Sequence, residues 1–182
     1  NTLLWCSIFK FLKMPTVIIR PNATPADFGS TLVGASTAHE ALYEVTADDS
    51  TTYVIPNTAL AGPLLSFEQI PTNATVQEIK IYYRFNIPSG TRNVYVGAVD
   101  STMTNTYFGD NADVSGSWQD RNSGSLTTNP VTGVAFTAAE INDIQVFLST
   151  LSSSNIPQYT QLYIEVKYTV TDNTNALIFA GN

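Results

Sequence analysis

Few residues in this chain are equipped for chemistry. His39 is the only histidine and Cys6 the only cysteine. A Ser-His-Asp relay would have to run through His39. That residue stands in "HEALYEV", at the entry to a strand expected over Glu40 to Thr46, and no G-x-S-x-G elbow occurs. His39 therefore reads as a strand-end residue on the surface. One cysteine and one histidine cannot fill a tetrahedral zinc site or close an internal disulfide. No glycine-rich phosphate loop is present. Glycoside cleavage needs only two carboxylates, and Asp48-Asp49, Glu40/Glu44, Glu78, Glu165 and Asp110/Asp113 supply the number. Glu78 and Glu165 fall on or beside solvated strand faces, which accounts for them without catalysis. The chain reads as a non-enzyme.

Two kinds of binding residue are left. The turns "ADDST", with Asp48 and Asp49, and "GDNADVSG", with Asp110 and Asp113, cluster the oxygen donors that a hard cation takes. Calcium is the one cofactor that they suggest. Their spacing is not that of an EF-hand, and Asp and Asn collect in turns anyway by hydrogen-bonding their own backbone. The second kind is aromatic. Trp118, Tyr107, Tyr82 and Tyr163 are the candidate rings for stacking on a sugar. Tyrosine on an exposed strand face also serves cross-strand pairing. Asn22-Ala-Thr24 and Asn73-Ala-Thr75 match the glycosylation acceptor pattern.

These residues need elements to position them. A chain of 182 residues suits one domain with one core. Charged residues make up only 13%, about half the usual quarter, so Thr, Ser, Asn and Gln must furnish the polar surface. The formal charge is -7, and no Lys/Arg cluster follows Lys13, which argues against nucleic acid. In "VQEIKIYYRFNIP", Ile79, Ile81, Tyr83, Phe85 and Ile87 alternate with polar residues, a half-buried strand expected to stop at Pro88. "QLYIEVKYTV" repeats the pattern, with Leu162, Ile164, Val166, Tyr168 and Val170 inward. Shorter strands are expected at Thr16–Arg20, Thr51–Ile55, Leu64–Phe67, Asn93–Val99, Ile144–Leu148 and Asn175–Phe179. Polar turns separate them. Strands at this spacing without alternating helices predict an all-β, antiparallel two-sheet β-sandwich, jelly-roll-like.

Two segments depart from that rhythm. In "FTAAEINDIQVF", Thr137 and Glu140 form a capping box and Phe136 with Ile141 a hydrophobic staple, predicting one short capping helix near 137–143. Asp100 to Pro130 is dense in Thr, Asn, Gly and Ser. A strand is expected at "NTYFG" and a long exposed loop over "DVSGSWQDRNSGSLTT".

The first thirteen residues form an apolar segment with Leu3, Leu4, Trp5, Ile8, Phe9 and Phe11. Leu3 to Leu12 is too short to span a membrane and lacks the marks of a signal peptide. It reads as a non-native extension or as an arm for assembly, ahead of a single β-sandwich domain over 14–182.

"IIRPNATPADFG", "HEALYEVTADDSTTYV", "FTAAEINDIQVFLS" and "TQLYIEVKYTV" together resemble a β-sandwich type found in phage virion proteins and in secreted bacterial proteins of unknown role. The resemblance covers most of Thr16 to Val170, leaves the first thirteen residues unexplained and implies no catalytic residue. The leading expectation is thus a non-enzymatic structural or adhesive component of a virion or extracellular assembly: a capsid-decorating, tail or fibre-type subunit that forms homo-oligomers. The alternative is a carbohydrate-binding module, calcium-assisted, whose partner is a glycan.

Overall fold

The computed structural model describes residues 15–57, 62–150 and 155–170, with 89–93 and 111–115 described by backbone alone. The expected arm at residues 1–13 and the strand at Asn175–Phe179 lie outside the described residues. The fold is a two-sheet antiparallel β-sandwich, as the strand pattern predicts. It is organised around two long strands, β6 (Ala74–Val99) and β7 (Thr106–Asn122), which pair with each other from Val99↔Thr106 to Tyr82↔Asn122.

The first half of β6 pairs with β9 (Gln158–Val170), from Ala74↔Val170 to Asn86↔Gln158. The second half pairs with β8 (Gln145–Thr150), from Val94↔Thr150 to Val99↔Gln145. One continuous ladder therefore passes from one sheet into the other. β1 (Thr16–Ile19) and β4 (Tyr53–Pro56) both pair with β9, and β3 (Ser30–Val33) pairs with β4, completing the first sheet. β2 (Pro21–Asp27) and β5 (Pro63–Phe67) complete the second sheet beside β8.

Alternation decides what lies between the sheets. Ile79, Ile81, Phe85 and Ile87 of β6 and Leu162, Ile164 and Val166 of β9 are at most 1% exposed. Each buried aliphatic or aromatic side chain contributes about 1.5–3 kcal/mol. They meet Val94, Val96, Ala98, Val146 and Leu148 from the second sheet in one core cluster. Tyr168 and Val170, expected inward, are only half-buried. Tyr159 is fully buried, and its hydroxyl donates to the backbone oxygens of Ser149, at 2.6 Å, and Tyr95, at 3.3 Å, joining β9 to β8 and β6.

Three expectations are corrected. Pro88 does not end β6. The register steps from Ile87↔Gly116 to Thr91↔Ser115, so Pro88 falls in an irregularity where its missing N–H removes no ladder bond. The expected long loop is largely β7, an edge strand that pairs only with β6 among the described strands. Its polar, charged composition suits an edge. The strand expected over Glu40 to Thr46 is instead α1 (Ala38–Leu42) followed by a turn. Thr37 Oγ1 accepts from Glu40 N–H while the Glu40 carboxylate accepts from Thr37 N–H at 3.0 Å, the same capping box as the one at Thr137 and Glu140. Helix α2 (Ala138–Asp143) forms where expected, with Phe136 and Ile141 buried on either side of its cap. No helix among the described residues is long and apolar enough to cross a membrane.

Candidate functional site

The outer face of the first sheet brings Tyr82 and Tyr163 together with Arg20 and Arg84. Ile19 ends β1 in the core, so the next residue, Arg20, faces out. Its guanidinium lies 5.6 Å from the Tyr163 ring and 5.9 Å from the Tyr43 ring, and its Nη1 donates to the Glu44 carbonyl at 2.8 Å. Tyr163 is paired in register with Tyr82, and the rings stack at 4.7 Å and 13°. The result is a row running Tyr43, Arg20, Tyr163, Tyr82. Burial, and then the neighbouring Tyr82, push the Tyr163 phenol up.

The next row is ionic. Arg84 Nε and Nη2 donate to the two oxygens of Asp49 at 2.6 and 2.9 Å, and Nη1 to Asp120 at 2.9 Å. The Arg84 hydrogen bonds hold Asp49 below the usual carboxylate range, and Asp49 in turn raises Arg84. Beside it, Gln161 Nε2 donates to the same Glu44 carbonyl that receives Arg20, at 2.8 Å. The turn after α1 is thereby fastened onto the sheet. Burial is the main reason why Glu44 titrates above its ordinary value.

A groove of about 380 Å³ opens at the Tyr43 end, lined by Pro21, Asn22, His39, Glu40 and Tyr43. That size lies within the usual range for ligand clefts, about 300–1,000 Å³. Tyr43 is 45% exposed and donates its hydroxyl to Glu68 at 3.3 Å. Thr24 Oγ1 lies 3.1 Å from His39 Nδ1 and accepts the His39 amide, holding α1 against β2. Hydrogen bonding from Thr37 is the largest cause of the lowered Glu40 pKa, so that carboxylate stays ionised at the groove wall.

The candidate rings fall in two different environments. Tyr82, Tyr163 and Trp118 share the outer face of the first sheet: Tyr82 and Asp120 flank Trp118's side of the β6–β7 ladder, and Trp118 meets Tyr53 edge-on at 6.5 Å. Tyr82 and Tyr163 each spend one ring face on the other. Tyr107 is not a presented ring. It is 7% exposed and packs edge-on against Phe136 at 5.6 Å, because its position in β7 points into the core.

The acidic candidates are not brought together. Asp49 belongs to the Arg84 pair. Asp48 accepts the Thr52 amide at 3.0 Å. Asp110 accepts from the Tyr83 hydroxyl and from Arg121 at 3.3 Å. The Asp113 side chain lies outside the described residues. Among the described residues no group of three or more His, Cys, Asp and Glu could hold a metal ion.

Sequence reasoning missed Arg20, Tyr43 and the groove. The one local signal was the Thr37-x-x-Glu40 box, which marks a helix start but not its neighbours. The second sheet also has an outer hollow, lined by Phe28, Val99, Met103 and Phe147. None of these four side chains can donate a hydrogen bond, and the Met103 thioether is only a weak acceptor, so a hydroxyl-rich ligand placed there would have no strong side-chain partner from this lining.

No protein-family model and no curated protein matches the sequence. Among solved structures, the chain is similar to the CBM22-1 xylan-binding domain from Paenibacillus barcinonensis Xyn10C, with 12% identity, a TM-score of 0.43, and coverage of 81% of this chain and 92% of that one. It is also similar to the CBM22-1–GH10 modules of Clostridium thermocellum Xyn10B complexed with xylohexaose, with 14% identity and a TM-score of 0.43. That likeness covers 92% of this chain but only 30% of the other, so the chain spans under a third of its length.

Proposed function

We propose that this chain is a non-catalytic carbohydrate-binding β-sandwich of the extracellular space, and that it takes a glycan in the groove beside α1 and along the adjoining sheet face. One observation carries the reading: a half-exposed tyrosine, Tyr43, borders a groove that also presents an amide, an imidazole and a carboxylate. A pyranose has an apolar C–H face and a rim of hydroxyls. It needs an aromatic surface for the first and mixed donors and acceptors for the second. Asn22, His39 and Glu40 supply that mixture, as ligand clefts generally do with a few placed polar groups. A rigid sheet and a capped helix hold these groups in place before a ligand arrives, which limits the ordering cost of binding.

The test is calorimetric titration against soluble polysaccharides and their oligosaccharides, neutral and acidic. Tyr43→Ala is expected to lower affinity at least about tenfold, roughly 1.4 kcal/mol, with the urea midpoint little changed. Absence of binding across the panel would reject the reading, as would undiminished binding by Tyr43→Ala.

A further inference from the structure

We infer that the glycan carries a carboxylate, as a uronic acid does, and that Arg20 receives it. This rests on the glycan reading of the same groove. The chain has 15 acidic residues against 8 basic ones, so its cations should be taken up by its own carboxylates. Four of the five Lys and Arg side chains that the structure describes are: Lys80 and Lys167 pair with Glu78 at 3.3 and 2.8 Å, Arg84 with Asp49 and Asp120, and Arg121 with Asp110 at 3.3 Å. Arg20 is the exception. Among the described residues no carboxylate lies within ion-pair distance of it.

Arg20 is nonetheless held in place. Tyr163 and Tyr43 flank its guanidinium, and the Glu44 carbonyl fixes Nη1. Nε and Nη2 donate to no described residue. A guanidinium with its position set and donors to spare is suited to a planar two-oxygen anion. Arg20 also adjoins the groove directly, since Pro21 follows it in sequence and Tyr43 belongs to both.

The acids nearby are turned to other donors. Glu68 accepts the Arg20 backbone N–H at 3.1 Å through one oxygen and the Tyr43 hydroxyl through the other. Glu40 closes the α1 cap, and Glu44 accepts the Asp48 amide at 2.8 Å. Their charges still repel an incoming anion. One unpaired cation among the described residues, in a chain of net charge -7, therefore suits a single carboxylate at this site, and a densely sulfated chain poorly.

The experiment compares oligogalacturonides with neutral galactose oligosaccharides of equal length, and with heparin oligosaccharides as a sulfated arm. The wild type, Arg20→Gln and Arg20→Lys are titrated, each first shown to unfold cooperatively in urea. In the wild type the acidic oligosaccharide should bind at least tenfold tighter than the neutral one. Raising the salt should erode that preference. Arg20→Gln should abolish the preference by lowering acidic binding at least tenfold more than neutral binding, and Arg20→Lys should retain part of it, since the charge remains and the fork is lost. Equal or tighter neutral binding by the wild type, a preference that survives Arg20→Gln, or tighter sulfated binding would overturn the assignment and leave the glycan reading intact. Failure of every oligosaccharide to bind would overturn both.

Discussion

Replacing Tyr159 by Phe removes one oxygen from the middle of the sandwich. The ring is fully buried among Phe85 and its neighbours, so its packing is preserved and the hydroxyl alone is tested. The bond to Ser149 O, at 2.6 Å, is short and well placed, whereas the one to Tyr95 O, at 3.3 Å, adds little. A net hydrogen bond is worth about 0.5–1.5 kcal/mol, and a buried acceptor stripped of a partner costs about 1–3 kcal/mol. Together these place the loss near 2 kcal/mol. For a domain of this size that is roughly 4–8 °C in Tm. Urea unfolding followed by tryptophan fluorescence should show a lower midpoint with an unchanged m-value, because the native surface is the same. Burial keeps the phenol far above its ordinary pKa, so the difference between the two proteins should be constant from neutral pH to pH 9. Tyr159→Ala should cost more, about 3–5 kcal/mol, from the cavity it leaves. A Phe variant within about 0.5 kcal/mol of wild type, the usual range for an inconsequential surface change, would refute the argument that this hydroxyl bolts the sheets together.

Thr37→Ala and Thr137→Ala each remove a capping box and should each cost about 1 kcal/mol of stability, with Ser at either position recovering most of it; equal stability of Ala and Ser variants in urea would contradict the cap assignments. Gly34 has φ +74°, and a Cβ there would meet Thr51 O at 2.2 Å. Gly34→Ala should therefore destabilise by more than about 1 kcal/mol, while Gly109→Ala, with nothing within 4 Å, should be neutral or gain a few tenths from reduced chain entropy. Matching thermal shifts for the two variants would be the wrong outcome. Lys167, then Ser125, hold Glu78 down from 4.5 to about 2. A carboxyl depressed in the folded state contributes stability that is complete above the unfolded pKa and is lost as pH falls from about 4.5 to about 2. Urea midpoints across that window should fall further for wild type than for Glu78→Gln, and parallel curves would count against the shift.

Where a strand is buried on one face, the sequence could be read residue by residue. Ile79 to Ile87 and Leu162 to Val166 alternate because one side meets the core and the other meets water. Helix α2 was legible for an equally local reason, since Thr137, Glu140 and the Phe136/Ile141 staple all lie within six residues. Helix α1 carries the same Thr-x-x-Glu box, but with Glu40 to Thr46 taken for a strand the box went unread. The start of β7 was legible in "NTYFG", but its continuation was missed because an edge strand buries little and is selected for charge, so Asp120 and Arg121 looked like loop residues. The candidate site was least legible. Tyr82 and Tyr163 stand 81 positions apart and stack only through strand register, and Arg20 meets Tyr43 only because a helix folds back beside it. No short-range pattern encodes either meeting.

β6 belongs to both sheets, and this limits how the molecule can move. Two leaves joined only by loops can part like a clamshell. Leaves cut from one backbone ribbon cannot, because sliding or tilting either would break the N–H···O=C hydrogen bonds of the β6–β7 ladder. A guest on the outer face thus meets a fixed plate, with no jaw among the described residues to close over it. Release needs no opening step either, so capture and escape should both be fast, and firm retention would have to come from several copies or several sites engaging one long polymer.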